Sequence, residues 1–215
     1  MELVKNFVDL FLHLDHHING IIQEYGTWTY LIVFLIIFCE TGLVATPFLP
    51  GDSLLFVLGA LAASGSLQLG LVLFLLIAAA VLGNMLNYQI GRMLAPRVFR
   101  QEKIRFLKKE YLQRTEEFYA KYGATTIIIT RFFPIIRTFA PFLAGVGRMP
   151  YWRFTIYNFF GGILWVSLFV LAGYFFGNLP FVKNNFSTVV AAIIVISLIP
   201  AALEFWRHRQ KGKSV

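Results

Sequence analysis

Cysteine is almost missing from this sequence and charge is scarce. The single cysteine, Cys39, excludes an intrachain disulfide and any cysteine cluster for metal or redox work. Its place in an apolar run predicts a buried small hydrophobe. Charged residues make up 14% of the 215 positions against 58% hydrophobic, more apolar surface than a soluble core of this size can hide. No Walker sequence, nucleophile elbow, metalloprotease motif or dinucleotide fingerprint occurs, so the common NTPase, hydrolase and dehydrogenase classes have no support. Met1–Glu24 lacks a basic leader, a short apolar run and a small-residue cleavage site, so a cleaved signal peptide is not expected. What remains is a membrane protein short enough for one compact domain. The net charge of +8 comes from basic residues flanking apolar spans, which predicts a membrane face rather than nucleic acid as their partner.

Against that background four ionisable side chains stand out: Glu40, Asp52, Arg131 and Arg137. They are the only charges in two long apolar segments, Tyr25–Ser64 and Tyr122–Gly147. A charge near the bilayer centre costs roughly 2.5–3.5 kcal/mol on the more lenient insertion scales, so such groups pair, line a wet cavity or act on a substrate. The structural alternative is a pair of fixed salt bridges that staple the fold.

The chain also repeats itself. Tyr25-Gly26-Thr27-Trp28-Thr29 is echoed by Tyr122-Gly123-Ala124-Thr125-Thr126, and Thr46-Pro47-Phe48-Leu49-Pro50-Gly51 by Ala140-Pro141-Phe142-Leu143-Ala144-Gly145. Two echoes in the same order indicate an internal duplication. A helical stripe of Phe7, Leu10, Leu14, Ile18 and Ile21 precedes the first copy and predicts an amphipathic surface helix. A basic helical stretch, Arg97–Lys121, precedes the second. A full span follows each copy, Leu67–Ile90 and Phe154–Phe176, and a last span is expected at Phe186–Phe205.

Within the echoed segments the prolines decide the geometry. Pro47 and Pro50 disrupt the first helical ladder, and Asp52 with Ser53 can cap a new helix, leaving only Ser53–Ser64 before the next polar patch. Pro134 and Pro141 are expected to break the second. About 20 residues are needed to cross, so both segments read as re-entrant hairpins. The expected fold is an all-α integral membrane protein, an inverted repeat of amphipathic helix, re-entrant hairpin and transmembrane helix, with a final C-terminal span. Repeat 1 covers 1–92, repeat 2 covers 96–178, and the last span with its basic tail covers 184–215. Nine Lys/Arg between Gly91 and Tyr122, and four more from Arg207 onward, put that loop and the C-terminus in the cytoplasm. Trp28–Ala45 is long enough to cross instead, which would place the N-terminus inside.

Opposed hairpins would bring two carboxylates against two guanidiniums. Arginine grips phosphate with paired donors and keeps its charge, whereas burial favours a neutral acid and a nearby arginine its anion. The set suggests an anion site with proton coupling: Glu40 and Asp52 for protons, Arg131 and Arg137 for an anion. Supporting candidates are Pro50, Gly51, Asn84, Asn87, Tyr88, Arg92, Pro134 and Pro141. Asn84 and Asn87 could bond a hairpin or line a polar path, while Tyr88 and Arg92 read as an interfacial tyrosine and a snorkelling arginine. Gly161-Gly162 and Gly173–Gly177 are expected to permit close helix packing. His13, His16 and His17 lack further ligands, so neither metal nor cofactor is expected.

The runs Phe38-Cys39-Glu40-Thr41-Gly42, Pro47-Phe48-Leu49-Pro50-Gly51-Asp52-Ser53, Asn87-Tyr88-Gln89-Ile90-Gly91-Arg92 and Arg131-Phe132-Phe133-Pro134-Ile135-Ile136-Arg137-Thr138-Phe139-Ala140-Pro141 resemble the bacterial DedA family. The likeness extends over nearly the whole chain. It implies a bacterial inner-membrane protein of the superfamily that includes eukaryotic lipid scramblases with opposed hairpins, and required charges matching Glu40, Asp52, Arg131 and Arg137. Asn84 departs from the acid expected in many relatives. Members have been linked to proton-motive-force dependence, and some are proposed to return undecaprenyl phosphate across the membrane. The leading expectation is therefore a proton-coupled translocase of an anionic lipid, not an enzyme. A transporter of a small ion or drug, a phospholipid scramblase and a non-transporting envelope scaffold remain alternatives, as does homo-oligomerisation.

Overall fold

The computed structural model describes residues 25–43, 51–100 and 125–185, with 188, 189, 192 and 193 beyond them. Every element among the described residues is helical: α1 (Trp28–Gly42), α2 (Gly51–Ala63), α3 (Leu69–Arg100), α4 (Thr126–Ile129), a 3₁₀ turn (Thr130–Phe132), α5 (Pro134–Val146), α6 (Tyr151–Phe176) and α7 (Pro180–Asn184). The amphipathic stripe of Phe7–Ile21, the three histidines, Pro50, most of Arg97–Lys121 and most of the last span lie outside the described residues.

Among the described residues two helices are long and apolar enough to cross a bilayer, Leu69–Ala95 within α3 and Tyr151–Phe176. At 1.5 Å per residue each runs about 40 Å, beyond the roughly 30 Å of hydrocarbon. Phe74, Leu82, Leu86 and Met93 on α3 and Phe159, Phe160, Leu164, Leu168 and Phe175 on α6 are exposed, apolar side chains suited to lipid. The first span outlasts its expected end at Ile90: α3 continues helical through Gly91 and Pro96 to Arg100.

The other apolar helices are short. α1 has 15 residues and α2 13, so neither spans alone by length. α2 starts at Gly51, with Asp52 already in its first turn. In the second segment α4 tightens into the 3₁₀ turn, Phe133 is extended (φ −116°, ψ 105°), and α5 restarts with Pro134 in its first turn. The break thus falls where Pro134 predicts it. Pro141, expected to break the segment too, lies inside α5, which runs on for 13 residues; one lost N–H bond, to the Arg137 carbonyl, does not end a helix that packing holds. α5 closes with Gly147 N–H donating to Leu143 O (2.8 Å) and Met149 N–H to Ala144 O (3.0 Å), while Arg148 takes φ +52°.

The chain divides into two compact units. Among the described residues, unit 1 holds 25–36, 51–77 and 166–185, and unit 2 holds 37–43, 78–100 and 125–165. In unit 1, α2 is buried from Gly51 to Ala62 and lies against the second half of α6. A Cβ on Gly173 would strike the Phe56 carbonyl, and one on Gly59 the Val170 carbonyl. In unit 2, α5 lies in the same way against the second half of α3: a Cβ on Gly91 would strike the Phe142 carbonyl, and one on Gly145 the Tyr88 carbonyl. Helix backbones approach this closely only where side chains are missing. The close packing expected of Gly173–Gly177 is therefore observed, and Gly91 and Gly145 join it.

Candidate functional site

Unit 2 gathers three of the four intramembrane charges. Glu40 sits in the last turn of α1, Arg131 in the 3₁₀ turn and Arg137 in the first turn of α5. All three are buried, Glu40 at 1% exposure and Arg131 at 3%. Arg137 donates through Nη2 to Glu40 Oε1 in a buried ion pair. Its guanidinium also lies over the Trp165 ring, 5.0 Å from the centroid, a cation–π contact. Asp52 is buried in the first turn of α2 and belongs to unit 1.

Arg131 is held differently. No carboxylate pairs with it among the described residues. Its Nη2 donates to the backbone carbonyl of Asn158 at 3.1 Å and to the Asn158 side-chain oxygen at 2.5 Å. The Asn84 amide completes the set. With its oxygen toward Arg131 it accepts from Nη2 at 2.9 Å, and its nitrogen donates to the Thr41 carbonyl at 3.2 Å. Turned the other way, the nitrogen donates to Asn158 Oδ1 at 3.0 Å but faces the guanidinium. The first orientation sets acceptor against donor at Arg131 and at Thr41, and brings the Asn84 and Asn158 side-chain oxygens within 3.0 Å of each other, both on Nη2. Arg131 Nε is buried and has no hydrogen-bond partner among the described residues. Among those residues Arg131 is a guanidinium held by neutral oxygens, with a donor to spare and no counter-ion.

Gly161 and Gly162 make room for it. A Cβ on Gly161 would come within 3.1 Å of Arg131 Cδ and Nε, and Gly162 faces Nη2. These two glycines thus admit a charged side chain as well as close packing. Thr41, Asn84, Arg131, Arg137, Thr138 and Trp165 line a common cavity with about 10 Å³ of free volume, near the room one water needs.

The asparagines of α3 bond the echoed segments rather than open a path along the helix. Asn87 Nδ2 donates to the Thr41 carbonyl (3.2 Å) and the Thr138 carbonyl (2.8 Å), bridging α1 and α5. Tyr88, read from the sequence as interfacial, is 1% exposed. Its hydroxyl donates to the Met149 carbonyl and its ring stacks on Phe154, 4.5 Å between centroids. The correction has a simple cause: α3 does not end at Tyr88, and the α5–α6 connection covers it. Arg92 is exposed, as a snorkelling arginine would be. Cys39 is half-buried rather than buried, and no metal-ligand cluster occurs among the described residues. Asn158 and Trp165 were missed from sequence. An amide one turn before a Gly-Gly pair in a 26-residue apolar helix was the available signal for the first; nothing singled out the second.

The VTT domain family model matches residues 49–175. Protein DedA of Escherichia coli K12 is 48% identical over 212 residues, 98% of this chain and 97% of the relative. The chain belongs to the DedA family. Other DedA-family relatives include an uncharacterized membrane protein of Mycobacterium tuberculosis H37Rv, 44% identical over 84% of this chain and 81% of its own length. The inner membrane protein YghB of Escherichia coli K12 is 34% identical over 88% and 84%. No solved structure matches the chain. The relatives' names and the two apolar helices agree that this DedA-family chain is a membrane protein.

Proposed function

We propose that this protein is a proton-coupled translocase of an anionic lipid, with undecaprenyl phosphate as the leading substrate. The observation that carries the reading is Arg131: a buried guanidinium in a membrane protein, with no carboxylate partner among the described residues and an unused Nε donor, lining one cavity with Arg137. An uncompensated cation at such depth is costly unless an anion visits it. Arg131 receives the phosphate first. Protonation of Glu40 weakens its hold on Arg137, which then becomes the second clamp. Asp52 takes the other proton step, and the polyprenyl tail stays in the bilayer. Phosphate is larger than the present cavity, so α1 and α5 part as it enters.

In this reading the two broken segments are opposed re-entrant hairpins of an inverted repeat. The matching glycine contacts of α2 on α6 and α5 on α3 support that plan. The protein lies in the bacterial inner membrane with its C-terminus in the cytoplasm, catalyses no covalent chemistry and needs no cofactor or nucleic acid.

The test is purified protein in liposomes carrying fluorescent undecaprenyl phosphate, with and without an imposed pH gradient. Gradient-dependent movement that is lost in Arg131→Ala is expected. Full-rate transport by a normally inserted Arg131→Ala or Arg137→Ala protein refutes the assignment.

A further inference from the structure

The way Arg131 is held specifies more than an anion site. Asn158 touches it twice, through the helix carbonyl and the side-chain oxygen. The other end of the amide is also engaged: Asn158 Nδ2 donates to the Val81 carbonyl at 3.0 Å. That bond fixes which way the amide faces, so its oxygen must point at Arg131. Asn158 is fully buried, and Gly161-Gly162 one turn on clears the space through which the guanidinium reaches the α6 backbone. Asn84 brings a second amide oxygen to the same nitrogen.

Amide oxygens at this place perform a task that neither a carboxylate nor an apolar side chain could. An amide accepts a hydrogen bond and so aims the guanidinium, yet it carries no net charge to neutralise it. A carboxylate would satisfy Arg131 with a full ion pair and compete with any incoming anion. An alanine would keep the helix carbonyl and lose the side-chain oxygen that lies nearest Nη2. All three contacts fall on Nη2, whose two hydrogens they share, and Nε, on the same edge of the guanidinium, has no hydrogen-bond partner among the described residues.

We infer that Asn158, backed by Asn84, is a positioning residue that holds Arg131 aimed and uncompensated for the phosphate group of the substrate. The inference rests on the anion-site reading above and adds a residue and a selection rule to it: at position 158 the side chain must accept hydrogen bonds without bearing charge. Asn87 provides the contrast. It is equally buried, and its amide bonds only the Thr41 and Thr138 carbonyls.

Two measurements test it on the full chain in detergent. The first needs no lipid. In protein labelled with ¹⁵N-arginine, with the Arg131 signals assigned by their loss in Arg131→Lys, the wild type is expected to show separate, slowly exchanging guanidinium resonances. In Asn158→Ala, which keeps the helix carbonyl and Asn84, they are expected to broaden and exchange faster. Unchanged Arg131 signals in Asn158→Ala overturn the inference.

The second reads affinity. Trp165 lines the cavity and lies over Arg137, so a background with Trp28, Trp152 and Trp206 changed to Phe reports on the site by fluorescence. Undecaprenyl phosphate is titrated, with undecaprenol as the phosphate-free blank. Asn158→Asp is isosteric, gives up the bond to the Val81 carbonyl, gains an ion pair with Arg131, and is expected to lose more than tenfold in affinity. Asn84→Asp is expected to weaken binding as well. Gly173→Ala, which drives a Cβ against the Phe56 carbonyl in unit 1, is expected to lower the melting temperature and leave the affinity of the folded fraction unchanged. Wild-type affinity in Asn158→Asp, or the same affinity loss in Gly173→Ala, overturns the inference. A wild-type protein that does not distinguish the phosphate from the alcohol refutes the anion-site reading instead, and the resonance experiment still decides whether Asn158 aims Arg131.

Discussion

The buried pair of Glu40 and Arg137 permits a separation of stability from function. Glu40 is 1% exposed and the Arg137 side chain 7%, so no solvent screening reduces their coupling. Breaking a buried pair by removing one partner typically costs about 3–5 kcal/mol, because a charge is left without its counterpart. The two single variants should differ. In Glu40→Gln the guanidinium cannot discard its charge, and a loss of about 3 kcal/mol is expected even though the amide can still accept a hydrogen bond. In Arg137→Met the carboxyl can take up a proton and become neutral, so the loss should be smaller, roughly 1–2 kcal/mol. The double variant removes both charges and should recover to within about 1 kcal/mol of wild type, a coupling of about 3 kcal/mol or more. Equilibrium unfolding in mixed micelles, titrated with dodecyl sulfate, measures all four corners. Losses that add to within about 0.5 kcal/mol would show that the pair is not coupled and refute the reasoning. Transport by the refolded double variant then decides between machine and staple. Wild-type transport means that the charges only fix the fold, and absence of transport in a stable double variant means that they do the work.

The close helix contacts carry a second expectation. Gly145→Ala drives a Cβ against the Tyr88 carbonyl and within 2.8 Å of the Arg92 nitrogen, both backbone, so a loss of about 1–3 kcal/mol is expected as a lower thermal midpoint in detergent. Gly70→Ala, on α3 with nothing within 4 Å of the new Cβ, is the control and should gain up to about 1 kcal/mol from helix propensity. Arg148 carries a Cβ at φ +52° in the closure of α5, so Arg148→Gly should stabilise by roughly 1 kcal/mol and raise the same midpoint. Tyr88→Phe removes the donor to the Met149 carbonyl and should cost about 1 kcal/mol, with faster amide exchange over residues 147–149.

Much of this was legible because charges and prolines are rare in an apolar chain. Glu40, Asp52, Arg131 and Arg137 were conspicuous as the only charges of their segments, and unit 2 brings three of them, Glu40, Arg131 and Arg137, into one buried region. Pro134 marked a true break, since its missing N–H falls where the chain can turn extended at Phe133. Pro141 misled: the same chemistry inside a packed helix removes one bond and leaves the rest. Tyr88 misled for a related reason, because where a helix ends decides whether a tyrosine is interfacial or core, and α3 runs on to Arg100. The pairing itself could not be read. That Glu40 meets Arg137, while Arg131 is met by amides, depends on contacts between residues 97 and 27 positions apart, which no local pattern encodes. Asn158 was hidden for the same reason, being one polar residue in an apolar helix until Arg131 is seen to reach it.

The packing of α2 bears on how the chain is made. Twelve consecutive residues of α2 are buried, and the surface that receives its glycine, the turn from Val170 to Tyr174, is synthesised more than a hundred residues later. At roughly 5–20 residues per second, that interval lasts several seconds or more. Throughout it the first half of the protein sits in the membrane with an apolar, notched helix awaiting its mate. α5 has no such wait, because the stretch of α3 it packs on precedes it in the chain. Biogenesis is therefore lopsided even where the contacts match, and the first half depends on an insertion factor or on rapid elongation to survive. Two half-chains expressed together should assemble, whereas the first half alone should be cleared by membrane proteases.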